Sequence, residues 1–330
     1  MKRKMQIHKI KSNVPASPII FVLILLLVVI PASGCSFFST IKKTTKLIAH
    51  DLNIESSDLK KTAGIAYFEN RTFFTIQNFK ESFHKSLTES LTDACHNLIL
   101  MEPDDSGYPD LLSSQPVQDT GRIDNIALAD AGKKLGLNAI VTGALIDISG
   151  AEETKGILWF KKTENIVRVM INIEVYDTET AAKLYDKNYV REIEVEKPEL
   201  NAIKTKTIKD LSLLNDAFTQ VASSMGQDVC EVICAQPWRG YIISTAGNKV
   251  VLSTGKKAGL LPDDIFEVYD CEKIIKGTDG HCFVIPGYKT GEIKITTVYQ
   301  DRAEAVILSG EGIREGSSVS LKNDSENRVE

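Results

Sequence analysis

No apolar run in this chain of 330 residues reaches the roughly 20 that a membrane-spanning helix needs. The longest, Ile19 to Ile30, has about 12, which suits the core of a secretory signal and makes a permanent transmembrane helix the weaker reading. Basic charge is not in excess either: 39 Lys and Arg stand against 44 Asp and Glu, a net −5. A chain so balanced has no broad basic stripe, and nucleic-acid binding is set aside. Histidine is scarce, at five residues. His84 and His96 fall twelve residues apart on one expected helix, roughly 18 Å from each other, too far to share a metal ion. His281 beside Cys282 reads as a turn residue rather than half of a ligand pair. The sequence also lacks a Gly-x-Ser-x-Gly elbow, a phosphate-binding loop and a His-Glu-x-x-His pair. Thr254-Gly255-Lys256-Lys257 has no upstream glycine and no helical periodicity after it, so it reads as a β-turn. No catalytic residues, metal or non-covalent cofactor are expected.

What is present begins at the amino terminus. Lys2, Arg3, Lys4, Lys9 and Lys11 precede the apolar run, and Ala32-Ser33-Gly34-Cys35 follows it. Small residues leading into a cysteine resemble the lipobox of bacterial lipoproteins. Small side chains let a peptidase grip the backbone, and the Cys35 thiolate is the nucleophile that accepts lipid. Ala32 stands where that pattern usually has leucine. Ordinary cleavage near an Ala-x-Gly site, with Cys35 incidental, is the alternative. Acyl chains contribute roughly 0.8 kcal/mol per buried methylene, so two or three would hold the chain on a bilayer almost permanently. Ser36 in place of aspartate, by the same resemblance, implies outer-membrane sorting. Loss of the five leader cations takes the charge of the remainder from −5 to −10. About 295 residues remain, enough for two modest cores.

If Cys35 carries lipid, five cysteines are left: Cys95, Cys230, Cys234, Cys271 and Cys282. The periplasm is oxidising, and Cys271 and Cys282 share one stretch that reads as loop-rich, so a disulfide is expected there. Cys230 and Cys234, four apart, read as small apolar packers on one helix, with a metal site set aside for want of nearby histidines.

Residues 1–34 read as signal peptide and 35–61 as a polar tether. Ala63 to Phe68 is an apolar strand that turns at Glu69-Asn70-Arg71-Thr72. Ile76, Phe79, Phe83, Leu87, Leu91, Ala94 and Leu98 recur at three and four residues and mark a long amphipathic helix. Pro103 to Pro116 reads as loop. A second helix is expected from Asp124 to Leu135, closed by Gly136, then a strand from Ala139 to Ser149. Ile157–Phe160, Ile166–Tyr176 and Lys183–Val195 read as consecutive antiparallel strands. A last helix, with Ser212 as candidate cap, ends at Pro237. The fold expected is α+β: a mixed sheet with three helices over 62–237, then a small all-β barrel-like domain over 238–322 and a tail at 323–330. The six short strands expected in that second domain are Tyr241–Ser244, Lys249–Ser253, Ile265–Tyr269, Gly291–Val298, Ala303–Leu308 and Ser317–Leu321.

The block Gly64-Ile65-Ala66-Tyr67-Phe68-Glu69-Asn70-Arg71-Thr72 resembles the opening strand and turn of a superfamily of envelope proteins. That superfamily includes the curli-secretion lipoprotein CsgG, the synthase activator LpoB, the TolB amino-terminal domain and the middle domain of FlgT. Ala129 to Gly143 is similar to its helix-into-strand step ending in glycine, and Val175-Tyr176-Asp177-Thr178-Glu179-Thr180 to its hairpin. Gly255 to Val268 resembles the turn and strand of the FlgT carboxy-terminal β-domain. Together these cover most of residues 62 to 322. The resemblance implies a binding and assembly protein, since the shared motifs are not catalytic.

Two aromatic pairs are candidate partner surfaces: Phe73 and Phe74 after the first strand, and Trp159 and Phe160 between Lys155 and Lys161-Lys162. Packing of the phenylalanines on the next helix is an equal alternative for the first pair, and a solvated hairpin is the plainer reading of the second. The preferred reading is a non-enzymatic lipoprotein on the periplasmic face of the outer membrane. It would be lipid-anchored, would recruit envelope protein partners and would be open to homo-oligomerisation. A secretion-channel component of the curli-export type is the alternative, opposed by a hairpin at 157–176 that reads as too short and too charged to cross a bilayer. A wall-hydrolysing enzyme using Asp263, Asp264 and Glu267 is the third and weakest.

Overall fold

The computed structural model describes residues 59–101, 115–156, 161–208, 212–277 and 281–322. The expectations at Ala32, Ser33, Gly34, Cys35, the tether as far as residue 58, Trp159, Phe160 and the tail lie outside the described residues, and Lys61, expected to end the tether, already belongs to the first strand. The chain divides into Met1–Ser56 and Ser57–Glu330, and all that follows concerns the second unit.

Its first part comprises β1 (Lys61–Ile65), β2 (Glu69–Asn70), α1 (Phe79–Ala94), β3 (Leu98–Met101), α2 (Asn125–Lys134), β4 (Ala139–Lys155), β5 (Lys162–Asp177), β6 (Lys183–Glu194), α3 (Lys197–Lys204) and α4 (Asn215–Cys234). The strands form one mixed sheet in the order β3-β1-β4-β5-β6, with β2 also paired to β4. β1 is parallel to β3 and β4, while β4, β5 and β6 are antiparallel neighbours. β4 runs past its expected end at Ser149 to Lys155, so β4 and β5 are 17 and 16 residues long.

Side-chain alternation decides which face is core. On β5, Val167, Val169, Ile171, Ile173 and Val175 are fully buried, and the residues between them include Arg168, Asn172 and Glu174. On α1, Phe79, Phe83, Leu87 and Leu91 recur every four residues and meet the buried face of the sheet. α4 adds Phe218, Val221, Met225, Val229 and Ile233 to the same core. Burial of one such side chain contributes about 1.5–3 kcal/mol. The two helices run parallel, because Phe79 meets Phe218 at 5.2 Å between ring centroids, Ser90 donates to the Ser223 carbonyl at 3.2 Å, and Cys95 is bonded to Cys230.

α2 covers one end of the other face, where Leu128 and Leu137 pack on Ile140 and Tyr176. Its ends are as expected: the Asp124 side chain accepts from the Ala127 N–H at 3.1 Å. At the far end the Gly136 N–H bonds Lys133 O and the Leu137 N–H bonds Gly132 O, with Gly136 at φ +71°. In β4, Gly143 lets the Phe68 ring approach, since a Cβ there would run into that ring and into Asn172 O.

Among the described residues the α-helices of this part number four rather than the three expected. α3 is the addition, started by a reciprocal capping box between Glu196 and Glu199 with a proline in its first turn. It anchors itself through buried Leu200 and Ile203. Ser212 is not the cap of α4, which follows a 3₁₀ turn at Ser212–Leu214 and has Leu214 as N-cap.

The second part is a closed barrel of β7 (Gly240–Ala246), β8 (Lys249–Leu252), β9 (Ile265–Lys276), β10 (Cys282–Val298), β11 (Ala303–Gly310) and β12 (Ser318–Leu321), in the order β10-β11-β8-β7-β12-β9. Closure removes the sheet edges, and the interior is filled by Trp238, Phe266, Val268, Ile293 and Val319 among others. The barrel is sewn to the sheet by polar contacts: the Asn138 side chain accepts from Thr62 N–H at 2.9 Å and donates to Arg239 O at 2.7 Å. Trp238 Nε1 donates to Lys60 O at 3.1 Å.

β9 and β10 extend beyond the barrel, so Cys271 and Cys282 stand in paired strands rather than in a loop. Cys282 lies opposite Lys276 and Cys271 opposite Pro286, a stagger of five residues or about 16 Å along the strand. A disulfide needs Cα atoms within about 7 Å. The expected Cys271–Cys282 bridge is therefore corrected, and Cys282 is a free thiol. The bridge that exists joins Cys95 to Cys230, so Cys230 is a covalent staple between α1 and α4 and not merely a packer.

Candidate functional site

The turn after β2 is built by one asparagine. Asn70 Oδ1 accepts from the Thr72 backbone N–H at 3.0 Å and from its hydroxyl at 2.7 Å, while Asn70 Nδ2 donates to Phe74 O at 2.7 Å. Side chains of this kind hold a turn by replacing backbone partners. The outcome separates two adjacent aromatics. Phe74 is buried in the core beneath the sheet, whereas Phe73 is 86% exposed. Phe74 is thus corrected from partner surface to anchor, and Phe73 is displayed. The Lys206 ammonium sits 3.7 Å from the Phe73 ring centroid, a cation–π contact across two segments.

Arg71, on the same turn, borders a groove of about 330 Å³ that runs to the polar face of the sheet. Arg122, Glu174, Tyr176, Lys183 and His281 line it as well, so sheet, α2 approach and barrel hairpin all contribute. Two of its cations are held by carboxylates. Arg71 pairs with Glu69 at 3.0 Å, and Lys183 bridges Glu174 at 2.9 Å and Asp186 at 2.5 Å. Glu174 and Asp186 lie directly opposite in the β5–β6 register, a repulsive pair that Lys183 neutralises. Burial pulls the Lys183 ammonium down, but hydrogen bonds to Asp186 and Glu174 outweigh it and hold its pKa above the ordinary value. Burial, then the Glu174 charge, pushes the Tyr176 phenol up, and its hydroxyl donates to Glu174 at 2.8 Å.

The polar face continues away from the groove as a cross-strand ladder. Asn172 donates to Asp186 and Asn188, and Arg168 joins Glu192 at 2.5 Å and Glu153 at 3.2 Å. Such a surface, with donors and acceptors already fixed, suits recognition of another polar surface more than proton transfer. The acidic trio considered for wall hydrolysis does not assemble as a pair in a cleft. Asp263 is an exposed turn residue paired with Lys294, Asp264 accepts from the Leu261 N–H, and Glu267 is bound by Lys289 and Tyr269.

A third sulfur lies beside the α1–α4 bridge. Cys234 Sγ is 3.4 Å from Cys95 Sγ and 3.9 Å from Cys230 Sγ. The three sulfurs are close enough to hold a metal ion, but with two of them joined only one thiol remains to ligate. The pairing of Cys95 had no signal in the sequence, because its partner is 135 residues away. Among the described residues no helix is long and apolar enough to cross a membrane.

No protein-family model matches the chain, and no curated protein sequence matches it. Solved structures do. The hypothetical protein CT253 from Chlamydia trachomatis is 12% identical, with a TM-score of 0.33, over 54% of this chain and 99% of its own. Lipoprotein GNA1162 from Neisseria meningitidis is 9% identical, with a TM-score of 0.28, over 49% and 98%. The LpoB carboxy-terminal domain from Salmonella enterica is 10% identical, with a TM-score of 0.27, over 44% and 93%. At these identities and TM-scores the likenesses assign neither family nor function.

Proposed function

We propose that this chain is a non-enzymatic lipoprotein of the bacterial envelope, acylated at Cys35, that uses its α/β sheet to bind a protein partner. The observation that carries the reading is the Asn70 turn, which buries Phe74 and displays Phe73, two residues on from the groove-lining Arg71. An exposed aromatic on a rigid turn loses little conformational freedom on binding, which is why aromatics anchor interfaces. Export is supported by the lipobox-like Ala32-Ser33-Gly34-Cys35 and by the Cys95–Cys230 bridge, a bond that persists in oxidising compartments. Outer-membrane placement rests on Ser36, and the likeness to the CsgG, LpoB, TolB and FlgT group on the motifs at 64–72, 129–143 and 175–180. Tethering supplies the mechanism: two partners held on one surface meet at roughly millimolar effective concentration, so a weak interface suffices.

The test is photo-crosslinking in intact cells from a reactive residue placed at position 73, with mass spectrometry of adducts and of the processed amino terminus. Envelope proteins and an acylated Cys35 are expected. An unmodified amino terminus with the chain in the cytosolic fraction would sink the proposal.

The length of β4 and β5 favours a second reading, an oligomeric channel. Each exceeds the roughly 9 to 11 residues that a strand needs to cross a bilayer. Against it, Glu152, Glu153, Lys155, Lys162, Glu164 and Arg168 crowd the distal half of that hairpin. Detergent-resistant rings of the lipidated chain would reverse the ranking.

A further inference from the structure

We propose that Cys95, Cys230 and Cys234 form a disulfide-exchange site, in which the bridge on Cys95 migrates between two cysteines one turn apart on α4. The argument begins with helix geometry. Residues four apart lie on one face of a helix, so Cys230 and Cys234 both point at the end of α1. Cys95 caps that end, its N–H bonded to Leu91 O, and is buried. Cys230 holds the bridge, and Cys234 is a free thiol at the surface, in contact with the buried sulfur of Cys95. Lys61 Nζ donates to the Cys234 carbonyl at 2.7 Å, which ties β1 to the end of α4 beside the cluster.

The step needs no outside oxidant or reductant. Cys234 gives its proton to solvent, and its thiolate attacks Cys95 Sγ. The Cys234–Cys95 bond forms as the Cys95–Cys230 bond breaks, and the electron pair leaves on Cys230, which takes a proton from solvent. Cys234 Sγ lies to the side of the Cys95–Cys230 bond, so in-line approach requires rotation of both the exposed Cys234 side chain and the bridge. One disulfide and one thiol are present before and after, so the reaction is an isomerisation.

Its consequence lies at the junction of the two parts. Cys234 ends α4, and the chain passes through Pro237 and Trp238 into β7 at Gly240. A bridge at Cys230 leaves that last turn held by the buried Ile233 side chain and by the Lys61 hydrogen bond, with no covalent tie of its own at Cys234. A bridge at Cys234 pins it covalently to α1. The exchange thus selects between a pinned and an unpinned connection from the sheet to the barrel, and presents a different thiol in each case.

The full-length chain, purified without reductant, is incubated natively with iodoacetamide, quenched in acid and digested with pepsin. Fragmentation spectra then locate the label and the bridge. Label is expected on Cys230 paired with a Cys95–Cys234 bridge, as well as on Cys234 paired with a Cys95–Cys230 bridge. Within the three-cysteine cluster, label confined to Cys234, with the Cys95–Cys230 bridge intact at all times, overturns the proposal. The Cys230→Ser chain is the second arm. It is expected to close Cys95–Cys234 on air oxidation with loss of both thiols, and persistence of both also overturns the proposal.

Discussion

The Thr178 and Tyr241 hydroxyls lie 2.8 Å apart across the junction of sheet and barrel, with both residues buried. Thr178 spends its proton on Leu137 O, so Tyr241 is the donor of the pair. The short chain from phenol to hydroxyl to carbonyl has one group that is replaceable and one that is not. Tyr241→Phe removes the donor and leaves Thr178 bonded to Leu137, a loss expected near 1 kcal/mol. Thr178→Val strands a buried phenol without a partner, which costs about 1–3 kcal/mol. Urea unfolding of the two variants checks the order: Thr178→Val is expected to be the less stable.

Phe73 and Phe74 are neighbours with opposite tasks, and substitution separates them. Phe74→Ala opens a cavity in the core and is expected to cost about 3–5 kcal/mol. Phe73→Ala loses only an exposed cation–π contact with Lys206, below about 1 kcal/mol. Binding is expected to invert that order of importance. Capture of envelope partners by the mature chain falls about tenfold with Phe73→Ala, as for a central interface aromatic. Thermal unfolding beside a quantitative pull-down reads both, and unchanged capture by Phe73→Ala would remove Phe73 from the interface.

Much of this was legible in the sequence because periodicity reports burial. The every-fourth-residue pattern from Phe79 to Leu91 marked α1, and all six short β segments after Trp238 became the barrel. α3 was missed because its eight residues bury only two apolar side chains, too few for a period. Its trace was local chemistry, with Glu196 and Glu199 flanking a proline. The Cys95–Cys230 bridge was out of reach for a different reason. Periodicity gives each helix a face but no direction, and only the parallel packing of α1 and α4 brings their last turns together. Phe73 and Phe74 stayed ambiguous because a pair of aromatics carries no sign of which one the Asn70 turn rotates inward.

The bridge itself makes an expectation about stability. It closes 135 residues of chain, and loss of such a link typically costs about 2–4 kcal/mol through the unfolded state. Cys95→Ser removes every bridge that can join α1 to α4 and is expected to show that full loss. Cys230→Ser keeps Cys95 and Cys234 available and is expected to retain most of the stability under oxidising conditions. Denaturant midpoints with and without reductant separate the two: reductant should lower the midpoint of Cys230→Ser and leave Cys95→Ser unchanged.

Asp228 on α4 gathers Lys187, Tyr185 and Tyr189 from β6 across the sheet. The hydrogen bond from Lys187, then that from Tyr189, holds its carboxyl down at about 2, below the ordinary 3.8. A carboxyl whose folded pKa is depressed stabilises the fold while it is ionised in both states, so the contribution is complete above about pH 4. It is lost as pH falls toward 2, where the folded state must also take up the proton. The Asp228 side chain is 36% exposed, so solvent screening limits the contribution to below about 1 kcal/mol. Asp228→Asn keeps an oxygen for both phenols and removes only the charge. The variant is expected to unfold at lower urea than the parent at pH 7, and the gap is expected to close between pH 4 and pH 2. A gap that stays constant over that range would mean that Asp228 acts through packing and hydrogen bonding alone.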